Sequence, residues 1–291
     1  MIFEIYILLG LLILNVFIYY FNGIWVSPLL GIVNRWLRWI TFSFGLGFLT
    51  TQFEWISRPF WLVSIMAFML WYLVESLFIW FFVSAISYSN IPLYPRYKIN
   101  AEGDEWPVRK KFIIIRDWLR KHQFQKLASA KATIDDSLVI RSTIYLNATA
   151  TTKLQVLFVP LKRRTVSVFY VFLSKTQRGV YFQTDNLFLA YGGFYPDDWQ
   201  VFRKPLVTSI KKLMQIHDQR LKNNELEVWT DQQPVDTINH EQAKLEQANY
   251  QYGFLNPYPF HEENGRISYQ GKYRMWKEIW LLNYLGRTVD Y

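Results

Sequence analysis

Few side chains in this sequence have the type and spacing that enzyme chemistry needs. The chain contains no cysteine, which excludes disulfides, thiolate metal sites and cysteine nucleophiles. It also lacks a P-loop, a GxGxxG turn after a strand and a GxSxG nucleophile elbow. The histidines show no HExxH or similar metal-binding spacing; they are His122, His217, His240 and His261. These absences favour a protein that is not an enzyme and that needs no cofactor or metal.

Two other groups of polar residues have ordinary structural interpretations. His217 shares a helical stripe with Leu213 and Leu221, which favours a core histidine over a catalytic one. Asp197 and Asp198 are neighbours along the chain, and adjacent acids do not by themselves form a catalytic dyad.

The ionisable residue that stands out is Glu75, because it interrupts an otherwise apolar run from Phe60 to Ser87. An unpaired carboxylate in hydrocarbon is costly, so such a group is usually protonated, paired or turned toward a polar cavity. Asn15, in an earlier apolar run, and the Ser/Thr residues between the two runs could pair with it. We interpret Glu75 and Asn15 as an intramembrane polar site. It is either a proton or substrate site, or a hydrogen bond between helices or to a partner subunit.

Residues 1–95 are predicted to form a transmembrane domain with spans at about 5–26, 39–56 and 60–87. The first and third runs are apolar and meet the length of roughly 20 residues that a bilayer requires. The second carries Thr, Ser and Gly residues, which favour close helix packing in lipid, and a re-entrant segment is its alternative. Arg35 and Arg38 alternate with tryptophans and are predicted to lie in the loop before it, at the membrane interface.

The distribution of charge sets the expected orientation. The first 95 residues carry three basic and three acidic side chains, so the formal net charge of +9 lies entirely beyond them. Loops rich in Lys and Arg stay in the cytoplasm. We therefore expect a bacterial inner-membrane protein with its N-terminus outside and residues 96–291 in the cytoplasm. With a re-entrant second segment, both termini would face the cytoplasm.

Residues 96–291 are predicted to form an α+β domain in which helices cover an antiparallel sheet of about five strands. Short apolar runs between turn residues predict strands at 126–134, 138–147, 154–161, 166–173 and 180–188. Apolar residues at helical spacing predict helices at about 104–122, 205–221 and 236–250. Residues 250–291 form an aromatic-rich subregion, with a hairpin predicted at Asn264-Gly265 and a helix from Lys272 to Leu285.

Basic residues of the module predict contact with anionic lipid headgroups or an acidic partner. The basic cluster 162–164 interrupts two apolar strands, and a solvated turn is its alternative. The run from Lys272 is too short to span a bilayer and suits either an interfacial helix or a helix that closes the sheet. The residues predicted to contact the membrane surface or a partner are Arg35, Arg38, Lys162, Arg163, Arg164, Lys272, Trp276 and Trp280.

These patterns favour a non-enzymatic membrane protein whose cytoplasmic module docks a partner, either another membrane protein or a second copy, within a larger assembly. The alternative is a lipid-binding or lipid-modifying protein with an apolar pocket in the α+β module. Binding of nucleic acid is disfavoured, because the aromatic residues do not interleave with the basic cluster. A transporter would require oligomerisation, since so few spans cannot enclose a path.

Overall fold

The computed structural model describes residues 2–103, 106–107, 109–135, 138–160, 166–230 and 233–291. It is an α+β structure in which long N-terminal helices precede a mostly antiparallel sheet with helices on both of its faces. The predicted basic turn 162–164 lies outside the described residues.

The chain begins with three long helices, α1 (Ile2–Trp25), α2 (Pro28–Gln52) and α3 (Phe60–Tyr88). Within the described residues, two helices are long and apolar enough to cross a membrane, α1 from Phe3 and α3 over its whole length. The second of the three predicted spans, at 39–56, is therefore wrong as an apolar span. That stretch belongs to α2, whose hydropathy is lowered by arginines and by buried Asn, Thr, Ser and Gly residues.

The start of α2 also corrects the predicted loop. Ser27 caps the helix by accepting a hydrogen bond from the Leu30 amide, and Pro28 occupies its first position, where proline is favoured. The helix therefore begins well before Arg35 and Arg38, and both arginines lie within it.

The order of the helices in space follows from their side-chain contacts. Asn15 of α1 donates a hydrogen bond to Thr41 of α2 at 2.7 Å, and Trp39 of α2 donates to the Phe68 carbonyl of α3 at 2.9 Å. Gly47 lets α2 approach α3 closely, since a Cβ atom there would lie 2.2 Å from the Ser64 hydroxyl. Because α2 turns back along α1 and α3 turns back along α2, α1 and α3 point in the same direction.

The sheet contains seven strands among the described residues, in the spatial order of the sequence. They are β1 (Lys98–Ile99), β2 (Gln125–Asp135), β3 (Leu138–Leu146), β4 (Thr152–Pro160), β5 (Val166–Lys175), β6 (Tyr181–Asp185) and β7 (Trp199–Arg203). Neighbours are antiparallel except β6 and β7, which are parallel. The antiparallel sheet is confirmed with β2 to β6 near the predicted positions, while β1 and β7 add to the predicted number of about five.

Helices cover both faces of the sheet, and β4 contributes apolar side chains to the core on each face. Leu154, Val156 and Phe158 point into one core with α4 (Lys110–Lys121) and α5 (Ile210–Leu221). Leu157 and Val159 point into the opposite core with α6 (Pro234–Gln251). Successive side chains of a strand face opposite sides, so one strand supplies both cores.

A third core joins the module to α3. Ile79 and Val83 of α3 pack with Phe254, Ile267 and Met275 of the module. The elements around this core are the short α7 (His261–Asn264), α8 (Tyr269–Trp280) and a π-helical turn (Leu281–Leu285). The predicted hairpin at Asn264-Gly265 is wrong, since Asn264 ends α7 and the flanking residues form one isolated bridge within the described chain.

Candidate functional site

The module packs on α2 and α3 through an aromatic cluster, called here the aromatic seam, which consists of Trp36, Trp276, Trp280 and Tyr284. Trp276 of α8 donates a hydrogen bond to the Ser76 carbonyl oxygen of α3 at 3.1 Å. Trp280 stacks on Tyr284 with ring centres 4.4 Å apart, and Trp36 of α2 donates to the Tyr284 carbonyl oxygen at 2.9 Å. These tryptophans therefore lie between the module and the helices α2 and α3. Their predicted contact with lipid headgroups stays a prediction.

Glu75 forms an ion pair with Arg35 beside this seam. One guanidinium nitrogen of Arg35 lies 3.5 Å from the Glu75 carboxylate, with the side chains 35% and 19% exposed. Burial and the Glu75 carboxylate raise the pKa of Tyr284 to about 12, so its hydroxyl stays protonated. Asn15, the other predicted member of the intramembrane site, bonds instead to Thr41 and to the Leu11 carbonyl oxygen.

The remaining predicted contact residues lie apart from this pair. Arg38 is exposed on α2. Lys272 of α8 is partly exposed, donates to the Asn264 carbonyl oxygen at 3.3 Å and lies over the ring of Tyr88. Contact of these residues with lipid or with a partner stays a prediction.

A cavity of about 430 Å³ lies where the last turns of α3 meet the module. Its walls come from α3, the connection 91–94, the loop 188–191, Phe254, α8 and the π-helical turn. Phe82, Ile91 and Leu189 form part of its lining and are themselves exposed at the surface. The lining is mainly apolar, and small-molecule sites of ~300–1,000 Å³ usually have this character.

The loop that walls the cavity is held from behind by Glu278, which is fully buried in α8. Its carboxylate accepts hydrogen bonds from the backbone amides of Tyr191, at 3.0 Å, and Gly192. Gly192 has a φ of +68°, and a Cβ atom there would lie 2.7 Å from the Met275 Cα atom. A glycine is required at this position, because a side chain would push the loop away from α8.

Arg203, at the end of β7, connects Glu278 to the sheet. Its guanidinium lies 2.8 Å from the Asp185 carboxylate of β6 and 3.5 Å from that of Glu278. It also donates to the hydroxyls of Tyr195 and Tyr291, each at 3.0 Å. Burial alone would lower the pKa of Arg203, but these neighbours, Asp185 foremost, outweigh it and hold the pKa above its ordinary value. The buried arginine is therefore charged and fully paired.

A second group of hydrogen-bonded polar side chains is buried in the core of the sheet. The His217 ring of α5 lies 3.1 Å from the Ser174 hydroxyl and 2.9 Å from the Thr184 hydroxyl. This resembles a nucleophile beside a base, but all three residues are completely buried. Burial, and then nearby Arg220, lower the pKa of His217 from 6.5 to about 3. The ring is neutral and out of reach of a substrate, which confirms its interpretation as a core histidine.

Sequence reasoning missed the residues that build and support the cavity. Asp185 gave a local signal, as an acid within the predicted strand 180–188, whereas Arg203 lies in a strand that the sequence did not predict. In the described part of the chain, no group of three or more His, Cys, Asp or Glu residues is arranged to hold a metal. Comparison with family models, with curated proteins and with solved structures finds no match.

Proposed function

We propose that this chain is a non-enzymatic membrane protein that binds the hydrocarbon chain of a lipid in the cavity between α3 and the module. The observation that carries this proposal is the apolar cavity of about 430 Å³ beside a helix able to cross a membrane. This proposal develops the alternative drawn from the sequence, a lipid-binding protein with an apolar pocket, except that α3 supplies part of the cavity wall.

The surroundings of the cavity indicate the occupant. Phe78, Phe81 and Phe82 of α3 are exposed, and exposed aromatic side chains on such a helix are suited to lipid. Phe82 belongs to this surface and also lines the cavity, so the lipid-facing side of α3 continues into it. A chain that slides in from the bilayer exchanges one apolar environment for another without crossing water.

We propose the bacterial inner membrane as the location, with the N-terminus outside and the module in the cytoplasm. The distribution of charge supports this orientation. The module carries the whole net charge of +9, and basic segments stay in the cytoplasm. Since α1 and α3 are parallel and α2 runs antiparallel to both, this orientation requires α2 to return the chain across the membrane while packed against them, although α2 is not apolar enough to qualify as a span by itself. A reporter fused after Tyr291 should be active only in the cytoplasm, and activity in the periplasm would refute the orientation.

Filling the cavity tests lipid binding. Ala190 lines the cavity and is only partly buried, so Ala190→Trp should occupy the space with little effect on folding. We expect native mass spectrometry of the full chain, purified in mild detergent, to show bound lipid that this variant loses. Ala148→Trp, which places the same side chain on an exposed turn, is the matched control. The proposal is wrong if the unmodified chain carries no lipid and takes none up when it is supplied.

A second candidate function, docking of an acidic partner, is favoured by the outer face of α4. Ile113 and Ile114 are exposed there, 54% and 59%, and they are surrounded by basic residues of the same helix. A photo-crosslinking residue in place of Ile113 should give an adduct that is lost when Arg116→Glu reverses a neighbouring charge. Val228, also 54% exposed, is the control position. Adducts of equal yield at both positions, unaffected by the charge reversal, would exclude this surface.

A further inference from the structure

The polar groups of the cavity lining indicate which lipids it takes. Among the described residues no charged side chain lines it, and the polar ones are Tyr94, Tyr191 and Asn283. The Tyr191 hydroxyl donates to the Phe194 carbonyl oxygen at 3.0 Å and accepts from Asn249 at 2.8 Å. The Tyr94 hydroxyl oxygen is inaccessible to solvent, so Tyr94 offers a ligand its ring.

Asn283 differs from the two tyrosines. It lies in the π-helical turn, is half-buried, and its amide makes no hydrogen bond to any described residue. A primary amide offers both a donor and an acceptor, which matches an ester carbonyl or a hydroxyl group. In an otherwise apolar lining, it is the group that can hold the polar end of a ligand in one position.

The described lining offers no cation to an anionic ligand, since even Arg266, which donates to the Ile86 and Ile91 carbonyl oxygens of the wall, does not line the cavity. The loop at Tyr191 and Gly192 rests on the Glu278 carboxylate, and Asp185 adds a second carboxyl group around the guanidinium of Arg203. Arg203 is fully engaged by these groups and does not line the cavity. An anionic headgroup drawn into the cavity would lose its hydration without gaining a cation, and burying an unpaired charge is costly.

Building on the lipid binding proposed above, we infer that the cavity selects uncharged lipids, with Asn283 holding an ester or hydroxyl oxygen next to the chain. Acylglycerols have this chemistry. The bilayer is the source of the ligand, and the polar end lies at the level where α3 leaves it.

Three probes with the same C18 chain length separate the contributions of the hydrocarbon chain, the ester and hydroxyl oxygens, and the phosphate charge to binding. Monooleoylglycerol carries the ester and hydroxyls, monooleoylglycerol phosphate adds an anionic phosphate, and octadecene has no oxygen. With the full chain in detergent we expect monooleoylglycerol to bind at least about tenfold more tightly than its phosphate, as measured by native mass spectrometry titration. Asn283→Leu should weaken the binding of monooleoylglycerol about three- to tenfold, the usual effect of losing one hydrogen bond, and leave the binding of octadecene unchanged.

The outcomes distinguish this inference from the function on which it rests. If none of the probes binds, or if Ala190→Trp leaves their binding intact, lipid binding in the cavity is wrong. If all three bind and the phosphate equals or exceeds monooleoylglycerol, lipid binding stands and the selection of uncharged lipids is wrong. Asn283→Asp keeps the shape of the side chain and adds a charge, so it controls for misfolding. This variant should weaken the binding of monooleoylglycerol phosphate further. If it changes the affinity for neither oxygen-containing probe, Asn283 is not part of the site.

Discussion

Replacing Arg203 by methionine should strongly destabilise the module. The substitution keeps a long side chain but removes the guanidinium from Asp185 and Glu278, which are both completely buried. Breaking a buried ion pair by removing one partner costs about 3–5 kcal/mol, because the other charge is left uncompensated. For a protein of this size 1 kcal/mol lowers the melting temperature by about 2–4 °C, so the expected decrease is about 6–20 °C.

The assay is thermal unfolding of the full chain in detergent, followed by tryptophan fluorescence at one fixed scan rate. Arg96→Met is the matched control, since Arg96 pairs with Glu246 at 2.5 Å but the two side chains are 44% and 37% exposed. An exposed pair contributes about 0–1 kcal/mol, so this variant should shift the melting temperature by no more than a few degrees. Equal shifts in both variants would refute the argument that burial makes the Arg203 pairs important.

Three further predictions concern other parts of the chain. Burial lowers the pKa of His217 to about 3, while the unfolded value is near 6.5, so stability should fall as pH drops from 6.5 toward 3, by up to about 1.4 kcal/mol per pH unit. When the pH is lowered from 7 to 5, the melting temperature of His217→Gln should decrease less than that of the unmodified chain. An equal decrease in both would contradict this assignment. Arg35→Gln and Glu75→Gln should each destabilise the chain, with a coupling of about 0.5–3 kcal/mol in a double-mutant cycle; a coupling near zero would show that the pair does not stabilise the helices. Changing both Trp276 and Trp280 to Ala should lower the melting temperature, because their rings pack on α3 and α2; an unchanged melting temperature with weaker binding to anionic vesicles would place them in lipid instead.

The strands that could be predicted from the sequence are those formed by a short apolar run and paired with the strand next to them in the chain. In β4, apolar residues fill both faces, and a short turn leads back from β3. The strand β7 lacks these signals, because it follows a segment rich in Gly, Pro and Asp and pairs in parallel with β6. Parallel pairing needs a crossover connection, so no short turn announces it.

The candidate site was harder to predict, because its residues come from distant parts of the chain. Glu75 was identifiable as a lone acid in an apolar run, but Arg35 was assigned to a loop although Ser27 and Pro28 mark a helix start before it. The cavity brings α3 together with a loop more than one hundred residues later and with α8. No periodicity within a single segment reports such a juxtaposition.

The length of α3 also bears on the distance between the membrane and the module. This is one continuous helix of 29 residues, about 43 Å long at 1.5 Å per residue, whereas the hydrocarbon of a bilayer is about 30 Å thick. In the proposed orientation, this excess of about 13 Å leaves room for the last turns of α3, where the fully buried Val83 and Ser87 meet the module, at the level of the headgroups. Inserting one residue before Ile79 would rotate the module by about 100° and turn the cavity away from its present neighbours. Inserting four residues, slightly more than one turn, would raise the module by about 6 Å and rotate it by only about 40°, so this insertion changes mainly the height and the single insertion mainly the angle.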